Sequence, residues 1–145
     1  MFCKDFRRID LDTQPISLTI QDQDLIQIAR DLIALRYRED HHHIASALRT
    51  VSGKIFTGVH VEAYVGRITV CAEAVAIGAA ATAGDTQIDA IVAVNEMGTI
   101  VSPCGMCREL IFDYAPQARV IIQRHGEPVT VPAPDLLPDK YTRED

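Results

Sequence analysis

The chain has 145 residues, the usual size of one domain, and 48% of them are apolar, enough to bury a core without disulfide staples. Fourteen basic residues against twenty acidic ones give a formal charge of −6, which argues against binding a phosphate backbone and makes a nucleic-acid partner an unfavoured expectation. Apolar runs fall short of the roughly 18 residues of a membrane span, and "MFCKDFRRID" lacks the apolar centre of a signal peptide, so a cytoplasmic location is expected.

Residues 1–21 carry little periodic signal. Over residues 22–38, Leu25, Ile28, Leu32 and Leu35 recur at helical spacing, and Asp22 or Asp24 is suited to cap the start. Residues 41–50 and 54–62 flank "VSG" and read as a β-hairpin turning at Gly53. The Ala-rich stretch 69–84 predicts a helix capped by Thr69 and ended by Gly84. "IDAIVAVN" reads as a buried strand closed by "NEMG", with "TIVS" either extending it or pairing with it. "CGMCRELIFDYA" predicts a helix that stops before Pro116. "RVIIQ" and "HGEPVTV" read as two more strands, and "APDLLPDKY" as a short helix and tail. This order implies a single domain over 1–145, an α/β sandwich around one mixed sheet, with an antiparallel hairpin and later parallel crossovers.

Four cysteines in a reducing compartment favour metal binding or catalysis over disulfides. Cys104 follows Pro103 at a helix start, where backbone N–H groups favour thiolate, and Cys107 lies one turn on. Taken alone, Cys-x-x-Cys can be a redox pair, a structural clamp or a metal site, although a thioredoxin-like pair belongs after the first strand. Cys71 stands at another predicted helix start, with Glu73 two residues beyond it. Three thiolates without a fourth ligand leave a metal position open for water, the arrangement of catalytic zinc. Zinc lowers the pKa of water it holds from about 15.7 toward about 7, and a nearby carboxylate can carry the proton to a leaving amine. Cys-x-Glu followed by Pro-Cys-x-x-Cys is the signature of zinc deaminases. A catalytically silent, zinc-stabilised binding domain would keep the cysteines but has no need of Glu73.

Across residues 24–141 the chain resembles the small cytidine deaminase family, and within it the blasticidin-S deaminase branch. The resemblance rests on "GKIFTGVHVE", "CAEAVAIGAA", "SPCGMCREL" and "DLLPDKY". It implies a three-layer α/β/α sandwich with a five-stranded mixed sheet, assembled as a homotetramer. It implies hydrolytic deamination of a cytosine-type nucleoside or related amino-heterocycle, with an antibiotic deaminase of the blasticidin-S type as the alternative. Cys71, Cys104 and Cys107 would then hold Zn2+, and Glu73 would shuttle protons. The Ala72 N–H would bind the ring oxygen, the Ser102 carbonyl would receive the amine, and Arg108 would offset thiolate charge.

The chain departs from the family pattern where a substrate would be read. His60 stands where relatives carry a sugar-binding Asn, while its partner Glu62 is kept and Ala63 replaces a second Asn. His60 also has a plainer reading, as a polar residue ending a strand. His42 takes the place of an aromatic near the base, and "HHH" can be a metal tract or a loop, with a loop entering a strand the favoured reading. Ala74 stands where relatives often carry Arg, and Met106 where the blasticidin-S branch carries Arg. Arg67 is either a second cation near the thiolates or a surface charge. Tyr141 would close the pocket of its own or a neighbouring subunit.

Overall fold

The structure, a computed structural model, describes residues 16–143. Cys3 and the segment tested for a signal peptide lie outside the described residues. The elements run α1 (Ile20–Arg36), β1 (Ile44–Thr50), β2 (Ile55–Val59), α2 (Ala72–Thr82), β3 (Ile88–Asn95), β4 (Ile100–Val101), α3 (Gly105–Tyr114), β5 (Arg119–Arg124) and β6 (Glu127–Pro132). Short 3-10 turns cover Gly66–Ile68 and Ala133–Leu136.

The sheet order is β2-β1-β3-β5-β6, with the two-residue β4 pairing with the C-terminal end of β3. The expected five-stranded sheet therefore gains a sixth, short strand from "TIVS". The hairpin is antiparallel as expected. Its first strand inserts between β2 and β3, so β1–β3 is also antiparallel and β3–β5 is the parallel pair.

Alternation along the strands builds the three layers. Ala45 and Ala47 of β1, Ala90, Val92 and Val94 of β3, and Ile121 of β5 pack with Leu25, Ile26, Ala29 and Ile33 of α1. Leu48, Ile91, Val120 and Ile122 point to the other face and pack with Ala76, Ile77 and Ala80 of α2 and Ile111 of α3. Each large aliphatic side chain buried this way contributes about 1.5–3 kcal/mol.

Helix α1 buries a different stripe from the one its leucines predict. Leu25 is fully buried, but Ile28 and Leu32 are half-buried and Leu35 is 70% exposed, while Ile26, Ala29 and Ile33 face the sheet. The sequence offers two overlapping apolar stripes. Asp22, on the sheet side, is fully buried and meets Arg119 at 2.7 and 3.0 Å and Arg49 at 3.0 Å, which fixes the rotation. Thr19, rather than Asp22 or Asp24, is the N-cap. Its hydroxyl accepts from the Asp22 N–H at 3.1 Å while the Asp22 carboxylate accepts from the Thr19 N–H at 3.0 Å.

Helix α2 ends as expected: Gly84 has φ +72°, the left-handed residue that closes a helix. Its start differs, because the N-cap is Cys71 and Thr69 lies further back. Gly58 of β2 sets the closeness of β2 to α2. A Cβ there would stand 2.5 Å from the Ala72 carbonyl oxygen and 2.5 Å from the Ala76 nitrogen.

Candidate metal centre and substrate recess

The N-terminal ends of α2 and α3 meet on one face of the sheet. Cys71 is the N-cap residue of α2 and Cys104 that of α3. Cys107 sits one turn into α3, buried. The Cys71 and Cys104 sulfurs are 3.7 Å apart, and the three sulfurs lie within 4.8 Å of one another. Thiolates about 2.3 Å from a tetrahedral zinc would stand about 3.8 Å apart, so the donor set fits that ion, and the three ligands found among the described residues leave its fourth position open.

The electrostatics suit a metal rather than a free thiol cluster. Burial pushes the Cys107 thiol far above its ordinary range, and the charges of Glu73, Cys71 and Cys104 add to this. Burial and the neighbouring Cys104 raise Cys71 too. At Cys104 burial also acts upward, but the backbone N–H groups of Cys107 and Met106, with the two neighbouring thiols, bring it below its usual value. A divalent cation relieves this crowding and displaces the protons. Glu73 is only 6% exposed, walled by Ile91, Pro103, Ile111 and Val120, and burial raises its carboxyl above the usual range.

Arg108 reaches from the first turns of α3 to two backbone carbonyls. Its guanidinium donates to the Pro103 carbonyl at 2.9 Å and the Leu136 carbonyl at 3.2 Å, clamping the C-terminal turn to the start of α3. Both bonds go to carbonyl oxygens; the bonds that lower Cys104 come from backbone N–H groups and thiols. Ala72 is fully buried at the first position of α2, and Ser102 is exposed just before Pro103. Met106 is 75% exposed on the first turn of α3, and Arg67 is exposed on the 3-10 turn.

A recess of about 420 Å3 opens between Asp40, His41, His43, Glu62, Ala63 and Tyr64. Glu62 and Ala63 both belong to the lining. His42 is not in the lining: its Nδ1 meets the His60 carbonyl at 2.7 Å, because alternation at the β1 entrance turns it away from its neighbours. Sequence reasoning missed His43, Asp40 and Tyr64, whose places depend on how two loops meet. His60 stands behind the recess, with its Nε2 3.0 Å from Glu62. Tyr141 belongs to another surface recess with Glu109, Phe112 and Asp113 on the outer side of α3. It is 79% exposed beside Lys140, which pairs with Glu109 at 2.8 Å and Asp113 at 3.0 Å.

Comparison with known proteins agrees with this geometry. Residues 19–123 match the model of the cytidine and deoxycytidylate deaminase zinc-binding region. The chain is 45% identical over 135 residues to the blasticidin-S deaminase of Bacillus cereus, covering 88% of this chain and 96% of that one. It is 28% identical over 102 residues to the cytidine deaminase of Mycobacterium tuberculosis, covering 70% and 74%. The crystal structure of cytidine deaminase from Mycobacterium tuberculosis superposes with a TM-score of 0.73 at 25% identity, covering 86% of this chain and 100% of that one. The structure of the Burkholderia pseudomallei cytidine deaminase gives 0.71 at 29% identity, with 86% and 100% covered. With three thiols spaced for zinc on a matching fold, the chain belongs to the cytidine and deoxycytidylate deaminase family of zinc-dependent hydrolases.

Proposed function

We propose that the chain hydrolyses the exocyclic amine of a cytosine-type nucleoside, or of a closely related amino-heterocycle, to an oxo group and releases ammonia. The observation that carries this reading is the buried Glu73 carboxyl in the first turn of α2, beside three thiols whose geometry leaves one metal position open. When bound by Cys71, Cys104 and Cys107, zinc supplies a Lewis acid that makes water a competent nucleophile near neutral pH.

Glu73 takes a proton from the attacking water and delivers it to the leaving amine. A C–O bond forms, the C–N bond breaks, and ammonia departs. Burial favours the protonated carboxyl, which suits the delivery step. The Ala72 N–H, without a partner inside its helix at this first position, donates to the ring carbonyl. The Ser102 carbonyl accepts from the amine as it leaves. The sugar side of the substrate enters the recess of Glu62, with His42 and His60 behind it.

The enzyme works as a homotetramer in the cytoplasm. Exposed Val61, Tyr64, Val65 and Ile68 support burial of that side against another copy. Tyr141, away from its own chain's recess, then serves a neighbouring subunit. Three thiols that must stay reduced to hold a metal support the location. Glu73→Gln tests the mechanism. Zinc content should stay at one per chain while ammonia release from cytidine falls at least about a hundredfold. Retained activity in the variant would refute Glu73 as the proton carrier.

A further inference from the structure

The two thiols that open helices are held in different ways. Cys71 follows a backbone bridge: the Val61 N–H donates to the Val70 carbonyl at 2.9 Å and the Val70 N–H to the Val61 carbonyl at 3.0 Å, directly before Cys71. Cys104 is bracketed by Arg108 instead. The Arg108 Nε donates to the Pro103 carbonyl at 2.9 Å, and the Arg108 backbone N–H donates to the Cys104 carbonyl at 2.9 Å, so the peptide groups on both sides of Cys104 end on one residue. The guanidinium is held in turn by the Leu136 carbonyl at 3.2 Å. Leu136 belongs to a segment fastened on either side of it. The Ala133 N–H donates to the Ala118 carbonyl at 2.9 Å. Lys140 lies across the later turns of α3, its Nζ 2.8 Å from Glu109, 3.0 Å from Asp113 and 5.6 Å from the centre of the Phe112 ring. The Lys140 side chain is 9% exposed, whereas Glu109 and Asp113 stay open to water.

From this arrangement we infer that Arg108 is a positioning residue for the ligand Cys104, that segment 133–140 is a strap holding its guanidinium in place, and that Lys140 latches the strap, so that the C-terminal segment sets how fast the centre gives up zinc. This role rests on the zinc-binding half of the deaminase reading and not on which amine is hydrolysed. Of the three thiols Cys104 is the exposed one, so a competing ligand meets the metal first on that side. Fixing both peptide groups around Cys104 opposes the backbone movement that would carry its sulfur off the metal. A guanidinium suits the task because it is planar, with donors in fixed directions, and bridges two carbonyls at once. A lysine keeps the charge but offers one compact donor group, which separates positioning from a simple offset of thiolate charge. The latch is built alike on α3: Glu109 and Asp113 stand four residues apart on one face, and Lys140 reaches both.

The test follows zinc loss from the zinc-loaded protein into an excess of chromophoric chelator, well below the Tm, with thermal unfolding recorded for each variant. Arg108→Lys should lose zinc about tenfold faster than the wild type, the effect of losing one hydrogen bond made by a charged group. Lys140→Met keeps the stem over Phe112 and drops the charge; it should lose zinc about threefold faster, as for a partly exposed ion pair. Lys140→Arg should restore the wild-type rate. Added salt should speed zinc loss from the wild type and leave Lys140→Met almost unchanged, because the latch is the screened element. A wild-type rate in Arg108→Lys would overturn the positioning role, and a wild-type rate in Lys140→Met would overturn the latch. A lowered Tm without faster zinc loss would show structural support alone and overturn both. If Arg108→Lys does not fold, Lys140→Met and its Lys140→Arg rescue decide under the same criteria. None of these outcomes touches the deaminase reading, since no turnover is measured; wild-type protein that takes up no zinc would overturn that reading and the strap together.

Discussion

Replacing Gly58 by alanine probes how the sheet places the metal centre. The added methyl would lie 2.5 Å from the Ala72 oxygen, 2.5 Å from the Ala76 nitrogen and 2.8 Å from the Val75 Cβ. Carbon makes favourable contact at about 3.5–4.0 Å, so α2 must retreat from β2 by roughly an ångström. Two of the three obstacles are backbone atoms in the first turns of α2, and no rotamer change removes them. Overpacking of this kind costs about 3 kcal/mol. For a chain of this size that is a fall of about 6–12 °C in Tm. The retreat also draws Cys71 and Glu73 away from Cys104 and Cys107, so zinc affinity should fall with stability. Thermal unfolding and competition with a chromophoric zinc chelator read the two effects. A Gly58→Ala protein with wild-type Tm and zinc affinity would refute the claim that β2 presses α2 into position.

The cluster at the other end of the sheet predicts an acid response. Burial of Asp22 acts to raise its carboxyl, but the Arg119 guanidinium, the Thr19 N–H and the Arg49 guanidinium outweigh it and hold it well below the usual carboxylate range. A depressed folded-state pKa contributes stability above the unfolded value, about 3.9, and that contribution is lost as pH falls through the folded value. Denaturant midpoints should therefore drop between about pH 5 and pH 2 in the wild type, and much less in Asp22→Asn. At neutral pH that variant should lose about 3 kcal/mol, since Arg49 and Arg119 stay largely buried with fewer anionic partners; parallel acid curves would contradict the assignment. The recess bears on substrate charge as well. Its lining holds the carboxylates of Asp40 and Glu62 and no Lys or Arg. Cytidine 5′-monophosphate should therefore show kcat/KM at least about tenfold below cytidine at low salt, and equal values would refute this reading of the recess.

The chemistry of the metal centre was legible because it is local. Cys71 with Glu73, and Cys104 with Cys107, each lie within one helical turn, and proline and helix periodicity place both pairs at helix starts. The strand 88–95 was legible for a similar reason, as an unbroken apolar run between turn residues. What stayed hidden depends on partners far away in sequence. The rotation of α1 is set by Arg119, 97 residues from Asp22. Thr69 satisfied the local rule for a helix cap, yet its hydroxyl bonds Glu62 across a loop. The insertion of β1 between β2 and β3 is a choice of strand order that no single strand's pattern encodes. The recess beside Glu62 depends on both kinds of information, since Glu62 stands out by its motif and the placing of His43 and Asp40 beside it comes only from the fold.

The paired backbone bonds between Val61 and Val70 use no side-chain atoms. They close residues 62–69 into a loop whose two ends stay fixed whatever side chains it carries. Within one chain the segment 64–68 is therefore a cassette whose change leaves Glu62 at one end and Cys71 just beyond the other at the same separation, while exchange of Tyr64, Val65 or Ile68 also alters the face proposed to meet another copy. A fold with such a closure can change the rim of its recess without re-solving the geometry of its metal centre, and this stretch is the natural place to vary in a library seeking new substrates.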